Sequence, residues 1–482
     1  MPLTGGAMEG IQAEFGEIYG VFCGCRETMW VSCSGGQPSF VCRRLAELAG
    51  GMEPAGEGLG AALTDPREAA AYLAGRNGKT QAKDLGLTED YDRVLEQLSY
   101  DLGKVEREQI QGLYGKCLNL SASQIDLQAQ CRLAYFLKYG LKIRERKPAQ
   151  VDPAEFGTYV HWVLEQTVNT VMEREGFRKI SLADTLEIAR EAAKRYGTTH
   201  FSQLDSERLR YLFQRNDQEL FWIVRELWEE LQASEFAPAG TEVAFGGDGD
   251  LPPVPVPGRA MDAQLRGFVD RVDVWQEGPN RYFRVVDYKT GKKDFDYCDI
   301  YNGLGLQMLL YLFSLEEQGA SLLGDNPHGV GVQYFPARAP LMTSDGMLTD
   351  EEARQQREKL WKRKGLLLED LRILQAMEPE TPPKRLSYKC KKEGELSGDL
   401  ASREDLKTLR AYVFSLVGQM VDTIAAGEVA PNPYTRGESH NVCRFCPYGA
   451  LCHPAQVEGR RNYKAISSKE FWEAVAQEVE KH

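Results

Sequence analysis

The sequence predicts an α/β protein in which a mixed β-sheet is flanked by helices. Residues 264–275 and 281–289 alternate in polarity and are rich in valine and aromatic side chains, which is typical of two strands joined in a hairpin. A helical segment at residues 303–319 and an apolar strand at residues 329–335 follow. The order β-β-α-β indicates a small mixed sheet covered by helices.

The amino-acid composition is typical of a folded protein with a negative net charge. The chain has 482 residues, of which 42% are hydrophobic and 27% are charged. These values exclude a disordered or collagen-like protein, and the length allows about two to four domains. The formal net charge of −13 argues against a protein that binds nucleic acid through its overall field, but it is compatible with a local basic groove.

We expect a cytoplasmic protein with no membrane partner. The apolar stretches are far shorter than the roughly 20 residues of a spanning helix, and the N-terminus lacks the pattern of an export signal. The 11 cysteines are then reduced thiols, so clustered cysteines indicate metal binding rather than disulfides.

Helical patterns precede and follow the predicted sheet. Ser123 is predicted to cap a helix through Cys131, and Pro153 to open the next one. Apolar residues at three- and four-residue steps between 209 and 231 indicate a long amphipathic helix. Further helices are predicted at residues 40–48, 66–73, 350–374 and 402–426.

The candidate site lies on the predicted hairpin. Asp270 stands on the first strand, and Asp287 and Lys289 end the second, where strand alternation puts them on one face. Two carboxylates and an ammonium group suit a divalent cation and a lysine that offsets charge on a phosphate. The alternative is an exposed ladder of ion pairs, which contributes little stability. Valines on both sides of these charges favour the functional interpretation.

Two helices supply further candidates. His161 and Glu165 are four residues apart on the helix that Pro153 opens, so they project from one face, and His161 is a candidate third metal ligand. Gln307 and Tyr311 share a face of the helix after the hairpin. Each pair taken alone is more typical of residues that pack at the edge of a core.

The order of these motifs closely resembles the RecB-type branch of the PD-(D/E)xK nuclease superfamily. The motifs are Gly157-x-x-x-His161-x-x-x-Glu165, Gly267-x-x-Asp270-Arg271-x-Asp273, Asp287-Tyr288-Lys289-Thr290-Gly291 and Gln307-x-x-x-Tyr311. The ordered set is much more specific than any one member. It implies a restriction-endonuclease-like mixed sheet flanked by helices, with helical insertions.

The resemblance also implies roles for individual residues. The catalytic residues would be Asp270, Asp287 and Lys289. The metal ligands would be His161, Asp270, Asp287 and the backbone carbonyl of Tyr288, with Mg²⁺ or Mn²⁺ as the ion. DNA-proximal support would come from Glu165, Arg271, Gln307 and Tyr311.

A cysteine loop near the C-terminus offers a second metal site. Cys443, Cys446 and Cys452 form a C-x₂-C-x₅-C pattern, and a tetrahedral or cubane centre needs a fourth ligand. Cys131 is the candidate, because it begins a helix just ahead of the nuclease motifs. One ligand before the fold and three after it would clasp the domain.

Spacing alone does not separate an iron–sulfur cluster from zinc, for which His440 or His453 is the alternative fourth ligand. One early cysteine, the nuclease motifs and then the cysteine loop are similar to the AddB-type subunits of helicase–nucleases. This resemblance implies that the four cysteines hold a [4Fe–4S] cluster that staples the domain.

The resemblance divides the chain into three regions. Residues 1–118 are weakly similar to the end of a helicase-like domain and contain no phosphate-binding loop. Residues 119–465 are the nuclease domain, with a helical insertion at residues 179–236, and residues 466–482 are a C-terminal helix.

The implied function is a metal-dependent deoxyribonuclease that acts as an exonuclease on single-stranded DNA ends. It would work with an AddA-type motor subunit in double-strand-break processing and recombinational repair. The alternative is a catalytically silent module that binds DNA ends or acts as a scaffold, with a structural cluster. The insertion at residues 179–236 disfavours a third interpretation, the four-cysteine nuclease of CRISPR adaptation.

Overall fold

The computed structural model describes most of the chain as two compact units, residues 1–100 and residues 101–482. The described residues are 40–48, 65–98, 104–144, 153–200, 207–247, 249–256, 258, 260–291, 293–338, 349–391, 394–437, 440–452, 457 and 459–481. Within these residues, no helix combines the length and the apolar character that crossing a membrane requires.

The described part of the first unit is helical. Its helices are α1 (Phe40–Leu48), α2 (Pro66–Ala74), α3 (Lys79–Asp84) and α4 (Thr88–Leu98), and both helices predicted in this region are among them. The carboxylate of Asp65 caps α2 by accepting a hydrogen bond from the amide of Arg67. Leu73, Ala82 and Tyr91 belong to its small core.

The second unit holds the predicted sheet. Its described strands are β1 (Cys117–Leu120), β2 (Ala237–Phe245), β3 (Val254–Val256), β4 (Asp262–Leu265), β5 (Gly267–Glu277), β6 (Asn280–Lys289), β7 (Pro327–Pro336), β8 (Lys364–Leu368), β9 (Tyr388–Cys390), β10 (Leu396–Gly398), β11 (Leu400–Ala401), β12 (Tyr434–Arg436), β13 (His440–Asn441) and β14 (Arg461–Asn462). Its described α-helices are α5 (Arg107–Tyr114), α6 (Ala122–Gln130), α7 (Arg132–Tyr135), α8 (Pro153–Arg174), α9 (Leu182–His200), α10 (Glu207–Ala233), α11 (Tyr297–Tyr301), α12 (Gln307–Gln318), α13 (Ala320–Leu323), α14 (Asp350–Leu360), α15 (Leu371–Met377), α16 (Arg403–Ala425), α17 (Gly449–Cys452) and α18 (Ser468–Glu480).

Six strands form the central sheet in the order β11-β8-β7-β6-β5-β2. β5 and β6 are an antiparallel hairpin in which Arg271 pairs with Val286 and Glu277 with Asn280. β7 runs parallel to β6, and α12 connects the two strands along the chain. The predicted β-β-α-β order, the mixed sheet and the α/β class are therefore confirmed.

Helices cover both faces of this sheet. On one face, α12 and α16 contribute to the larger core together with Val272 and Val285 of the hairpin. On the other face, α8, α9 and α10 pack over Val286 and Tyr288. The predicted long amphipathic helix is α10, which forms part of the layer that covers the sheet.

Three predicted elements have different boundaries. The single helix predicted at residues 350–374 is α14 and α15 with the strand β8 between them, since a short apolar run does not separate a buried strand from a helix. The strand predicted at residues 264–275 is divided, because β4 joins a separate sheet with β1 and β3. The helix predicted from residue 303 begins at Gln307, because Gly303 and Gly305 adopt positive φ angles.

The helix predicted from Ser123 begins earlier and is interrupted at Cys131. The cap is Ser121, whose hydroxyl accepts a hydrogen bond from the amide of Gln124, while the Gln124 side chain accepts one from the amide of Ser121. Cys131 has an extended backbone and separates α6 from α7. This cysteine therefore stands at a joint between two helices.

Candidate active site

Helix α8 meets the end of the hairpin at one place. A Cβ atom on Gly157 of α8 would lie 3.5 Å from Oγ1 of Thr290, just after β6. One turn further along α8, Nε2 of His161 lies 2.7 Å from the carbonyl oxygen of Tyr288, and Nδ1 lies 3.4 Å from Oδ2 of Asp270. The same carboxylate oxygen accepts a hydrogen bond from the amide of Tyr288 at 2.7 Å. The structure thus brings together the helix and both strands that carry the sequence motifs.

Asp287 and Lys289 form an ion pair beside these groups. Nζ of Lys289 lies 2.6 Å from Oδ2 of Asp287, whose side chain is only 3% exposed. Burial and then the carboxylate of Asp270 raise the pKa of Asp287 to about 6, against the lowering effect of Lys289. Oδ2 of Asp287 is buried, and the ammonium group of Lys289 is its close partner, so a cation bound here would share this oxygen with Lys289.

Glu242 is a candidate that the sequence motifs missed. The register of β2 against β5 places it across from Asp270, and its backbone φ is +47°, which is uncommon for a residue other than glycine. Ligand atoms of His161, Glu242 and Asp270 all lie within 4.8 Å of one another. The signal in the sequence is a single acidic residue within the otherwise uncharged segment 236–245.

Several carboxyl groups crowd this site. Burial raises the pKa of Glu242 to about 7, with further contributions from the carboxylates of Asp270, Glu165 and Asp287. Because like charges in one small volume repel each other, the arrangement favours protonation when no cation is bound and a divalent cation when one is supplied.

Binding of Mg²⁺ is expected to strengthen as the pH rises from about 5.5 to about 7.5. The pKa values of Asp287 and Glu242 in the folded protein are about 6 and about 7, which are higher than in the unfolded chain. The folded protein therefore binds more protons than the unfolded chain in this pH window, and rising pH destabilises the metal-free protein. Metal binding needs the ionised carboxylates, so Mg²⁺ should raise Tm more at the upper pH. Thermal unfolding with and without Mg²⁺ measures the difference.

The matched variant for this measurement is Glu242→Gln, which removes one titrating group and should flatten the pH dependence. An equal effect of Mg²⁺ on Tm at both pH values in the unsubstituted protein would contradict the assignment of these carboxyl groups to a cation site.

The residues expected to support DNA binding lie in different environments. Glu165 is half-buried on α8, and burial raises its pKa. Nε2 of Gln307 donates a hydrogen bond to the Tyr311 hydroxyl at 3.2 Å, and the Tyr311 ring packs edge-on against Phe245. A Cβ atom on Gly267 would lie 2.9 Å from the Tyr311 ring, so this packing explains the glycine that opens the first strand motif.

Arg271, which was also expected to give DNA-proximal support, is fully buried. Its guanidinium group donates hydrogen bonds to Asp273 at 2.8 Å, to Glu230 of α10 at 3.1 Å and to the Tyr288 hydroxyl at 3.2 Å. Arg284 of β6 donates to the same two acids, at 2.9 Å and 2.8 Å. The arginine of the first strand motif therefore belongs to a buried ionic network.

Glu230 is the centre of this network. Nε of Arg363, just before β8, donates a third charged hydrogen bond to it at 2.8 Å. Burial alone would raise the pKa of Glu230, but Arg363, Arg284 and Arg271 hold it well below its usual range. The network ties α10 to the sheet and, through the Tyr288 hydroxyl, ends at the candidate site.

The four candidate cluster ligands line one cavity, which is bounded by the joint at Cys131 and by the cysteine loop. Burial and the neighbouring thiols raise the pKa values of Cys443 and Cys452. Among the described residues, no three cysteine sulfurs lie within 4.8 Å of one another. The alternative zinc ligand His453 lies outside the described residues.

Comparison with known proteins identifies the family that the chain resembles. The sequence pattern of the PD-(D/E)XK nuclease superfamily matches residues 119–453. A subunit of the ATP-dependent helicase/deoxyribonuclease of Moorella thermoacetica is 31% identical over 481 residues, covering 91% of this chain and 41% of the relative. The protein of the same name from a Thermoanaerobacter species is 30% identical over 407 residues, covering 81% and 35%. That of Clostridium kluyveri is 29% identical over 406 residues, covering 79% and 34%.

The chain thus spans about a third to two fifths of the length of these relatives. Their shared name agrees with the similarity to AddB-type subunits that the cysteines and the strand motifs indicated.

Proposed function

The chain belongs to the PD-(D/E)XK nuclease superfamily, and we propose on this basis that it hydrolyses DNA phosphodiester bonds with the help of a divalent metal ion. The observation that carries the proposal is the convergence of His161, Asp270 and the carbonyl of Tyr288 beside the ion pair of Asp287 and Lys289. Two carboxylates, an imidazole and an ammonium group at one strand end suit phosphoryl chemistry.

The ion would be held by His161, Asp270, Asp287 and the carbonyl oxygen of Tyr288, with Glu242 as a further carboxylate. The donors support this choice, because carboxylate and carbonyl oxygens suit Mg²⁺ and Mn²⁺ and because ligand atoms of His161, Glu242 and Asp270 lie within 4.8 Å of one another. When bound, the ion supplies polarisation of the scissile phosphate and lowers the pKa of the attacking water.

The side chains around this position have separate tasks. Lys289 is 30% exposed, so its ammonium group can contact both Asp287 and a phosphate, where it offsets the negative charge that develops during cleavage. The amide of Tyr288 holds Asp270, and Arg271 holds the Tyr288 hydroxyl. These two contacts keep the strand end in place when DNA binds.

The substrate we propose is the end of a single DNA strand, cleaved as an exonuclease. The names of the relatives support a place in a helicase–nuclease, where an AddA-type motor subunit would deliver the strand during double-strand-break processing and recombinational repair.

The test is cleavage of end-labelled single-stranded DNA by the purified chain, with Mg²⁺ and with a chelator. Metal-dependent release of mononucleotides or short products from one end supports an exonuclease, whereas internal cuts would indicate an endonuclease. A folded chain that binds DNA and leaves it intact in Mg²⁺ would instead favour a DNA-end-binding or scaffold module.

We also propose that Cys131, Cys443, Cys446 and Cys452 hold a [4Fe–4S] cluster. Their common cavity and the C-x₂-C-x₅-C spacing support this proposal. A cluster at this place would link the joint between α6 and α7 to the C-terminal loop, and so close the domain on itself.

Cys446→Ala is expected to lower Tm and to reduce the iron and sulfide bound per chain, since binding of the cluster is coupled to folding. Cys390→Ala is the matched control, because Cys390 is exposed on β9 and does not line the cavity. Iron analysis and thermal unfolding measure both effects, and native stability of Cys446→Ala with a full iron content would reject the ligand set.

A further inference from the structure

The cavity beside the cysteine loop has an unusual charge. It measures about 1100 Å³, and four cationic side chains line it, namely Lys138, Lys142, Arg144 and Arg266. All four are exposed, and no aspartate or glutamate stands among the described residues of the lining. The protein has a net charge of −13, so this positively charged cavity is opposite in sign to the molecule as a whole. A local positive charge of this kind suits an anionic polymer such as a nucleic acid.

An exposed aromatic ring stands at this cavity. Phe445, between the first two loop cysteines, is 84% exposed, and the guanidinium carbon of Arg444 lies 5.4 Å from the centre of its ring. A cationic groove that carries exposed aromatic rings is the arrangement that binds single-stranded nucleic acid, since bases stack on the rings while cations contact phosphates.

Arg266 connects this cavity to the candidate active site. It lies between β4 and β5, and its amide is fixed by a hydrogen bond to the carbonyl of Leu120 at 2.9 Å. Two residues later on β5, Phe268 is 61% exposed, and two residues beyond it is Asp270. Strand residues two apart are about 7 Å apart along the chain, so a base on Phe268 would belong to a nucleotide near the scissile phosphate.

We propose that the cationic cavity, Arg266 and Phe268 form one track for a single strand of DNA that ends at Asp270. Arg266 and the lysines of the cavity contact successive phosphates, and Phe268 stacks on a base next to the cleaved bond. The statement that the track ends at a cleavage site rests on the proposed nuclease function. Binding of a strand along the track does not depend on catalysis. It provides a physical basis for a preference for single strands, because bases in a duplex are not free to stack on a side chain.

The competing explanation is that the four cations only offset the negative charge of a cluster held by the cysteine thiolates. In that case, removing Arg266 would alter the cluster and leave DNA binding unchanged. Phe268 carries no charge, so its effect on binding separates the two explanations.

The experiment measures binding of a fluorescein-labelled oligothymidylate to the full chain by anisotropy, without divalent metal and over a range of salt concentrations. Phe268→Leu is expected to raise Kd about tenfold, whereas Phe268→Tyr, which keeps a ring, should bind like the unsubstituted chain. Arg266→Ala should reduce the slope of log Kd against log salt by about 0.7, the amount expected for one lost phosphate contact.

Two control variants, Trp222→Ala and Arg225→Ala, remove an exposed ring and an exposed cation from α10, and both should leave Kd and the slope unchanged. The visible absorbance of the cluster and the Tm are recorded for every variant. Phe268→Leu and Arg266→Ala proteins that bind like these controls would overturn the track.

Cleavage assays on the same proteins distinguish this failure from failure of the nuclease proposal. If the unsubstituted chain cleaves DNA and Phe268→Leu binds it with unaltered Kd, the track is rejected and the nuclease proposal stands. If Phe268→Leu binds DNA more weakly and none of the proteins cleaves it, the track stands and the nuclease proposal is rejected.

Discussion

Lys289→Ala is expected to lower the rate of single-stranded DNA cleavage at saturating Mg²⁺ by at least about 100-fold while the protein stays folded. The ammonium group of Lys289 is the positive charge placed 2.6 Å from Asp287 at the strand end, and without it the charge that develops on the phosphate loses a partner. The fold tolerates the change because Asp287, with a pKa of about 6, can bind a proton when its counter-charge is removed.

The matched control for this variant is Lys407→Ala, which removes the same charge from an exposed position on α16 and should leave the rate unchanged. Lys289→Arg keeps the positive charge with a different shape, so an intermediate rate would show that both charge and position matter. Single-turnover cleavage gives the rates, and thermal unfolding checks the fold. Turnover by Lys289→Ala at the rate of the unsubstituted chain would remove this lysine from the mechanism.

The hairpin could be predicted from the sequence because its signals are local. Asp270, Asp287 and Lys289 lie on two consecutive strands, and strand alternation with a tight turn is enough to place them near each other. His161 is different, because it lies on a helix far away in the chain. The helix pattern alone made His161 a weak candidate ligand, the resemblance to a known family connected that helix to the strands more specifically, and the structure places His161 against Tyr288 and Asp270.

The parts that escaped prediction depend on contacts between distant segments. Glu242 became visible only through the register of β2 against β5, which no local pattern encodes. Arg271 stood in a motif next to Asp270 and was expected to give DNA-proximal support, and its buried acidic partner Glu230, from α10, was not foreseen. A charged residue in a strand has the same sequence signal whether it faces water or a buried ion pair. The strand β8 was taken for a helix for a related reason, because a short apolar run fits either buried element.

Glu230→Ala is expected to destabilise the second unit by about 3–5 kcal/mol, a large part of the stability of an ordinary domain. Glu230 is 6% exposed and lies within 3.1 Å of three buried arginines, namely Arg271, Arg284 and Arg363. Without it, Asp273 still accepts hydrogen bonds from the first two and Glu226 still lies 3.9 Å from Arg363, but two carboxylates cannot balance three buried guanidinium groups. Most of the lost free energy of unfolding comes from leaving positive charge unpaired in the core, and the loss of packing contributes less.

Glu229→Ala is the matched control, because Glu229 is the adjacent residue of α10, is 42% exposed and pairs with Arg385 at 2.7 Å, so its loss should cost less than about 1 kcal/mol. Urea unfolding of both variants measures the two costs. Since the three arginines hold the pKa of Glu230 below its usual range, its stabilisation is complete above about pH 4.5 and is lost as the pH falls further, so acid should narrow the gap between Glu230→Ala and the unsubstituted chain. Equal free energies of unfolding for the two variants at neutral pH would mean that the buried arginines are balanced without Glu230.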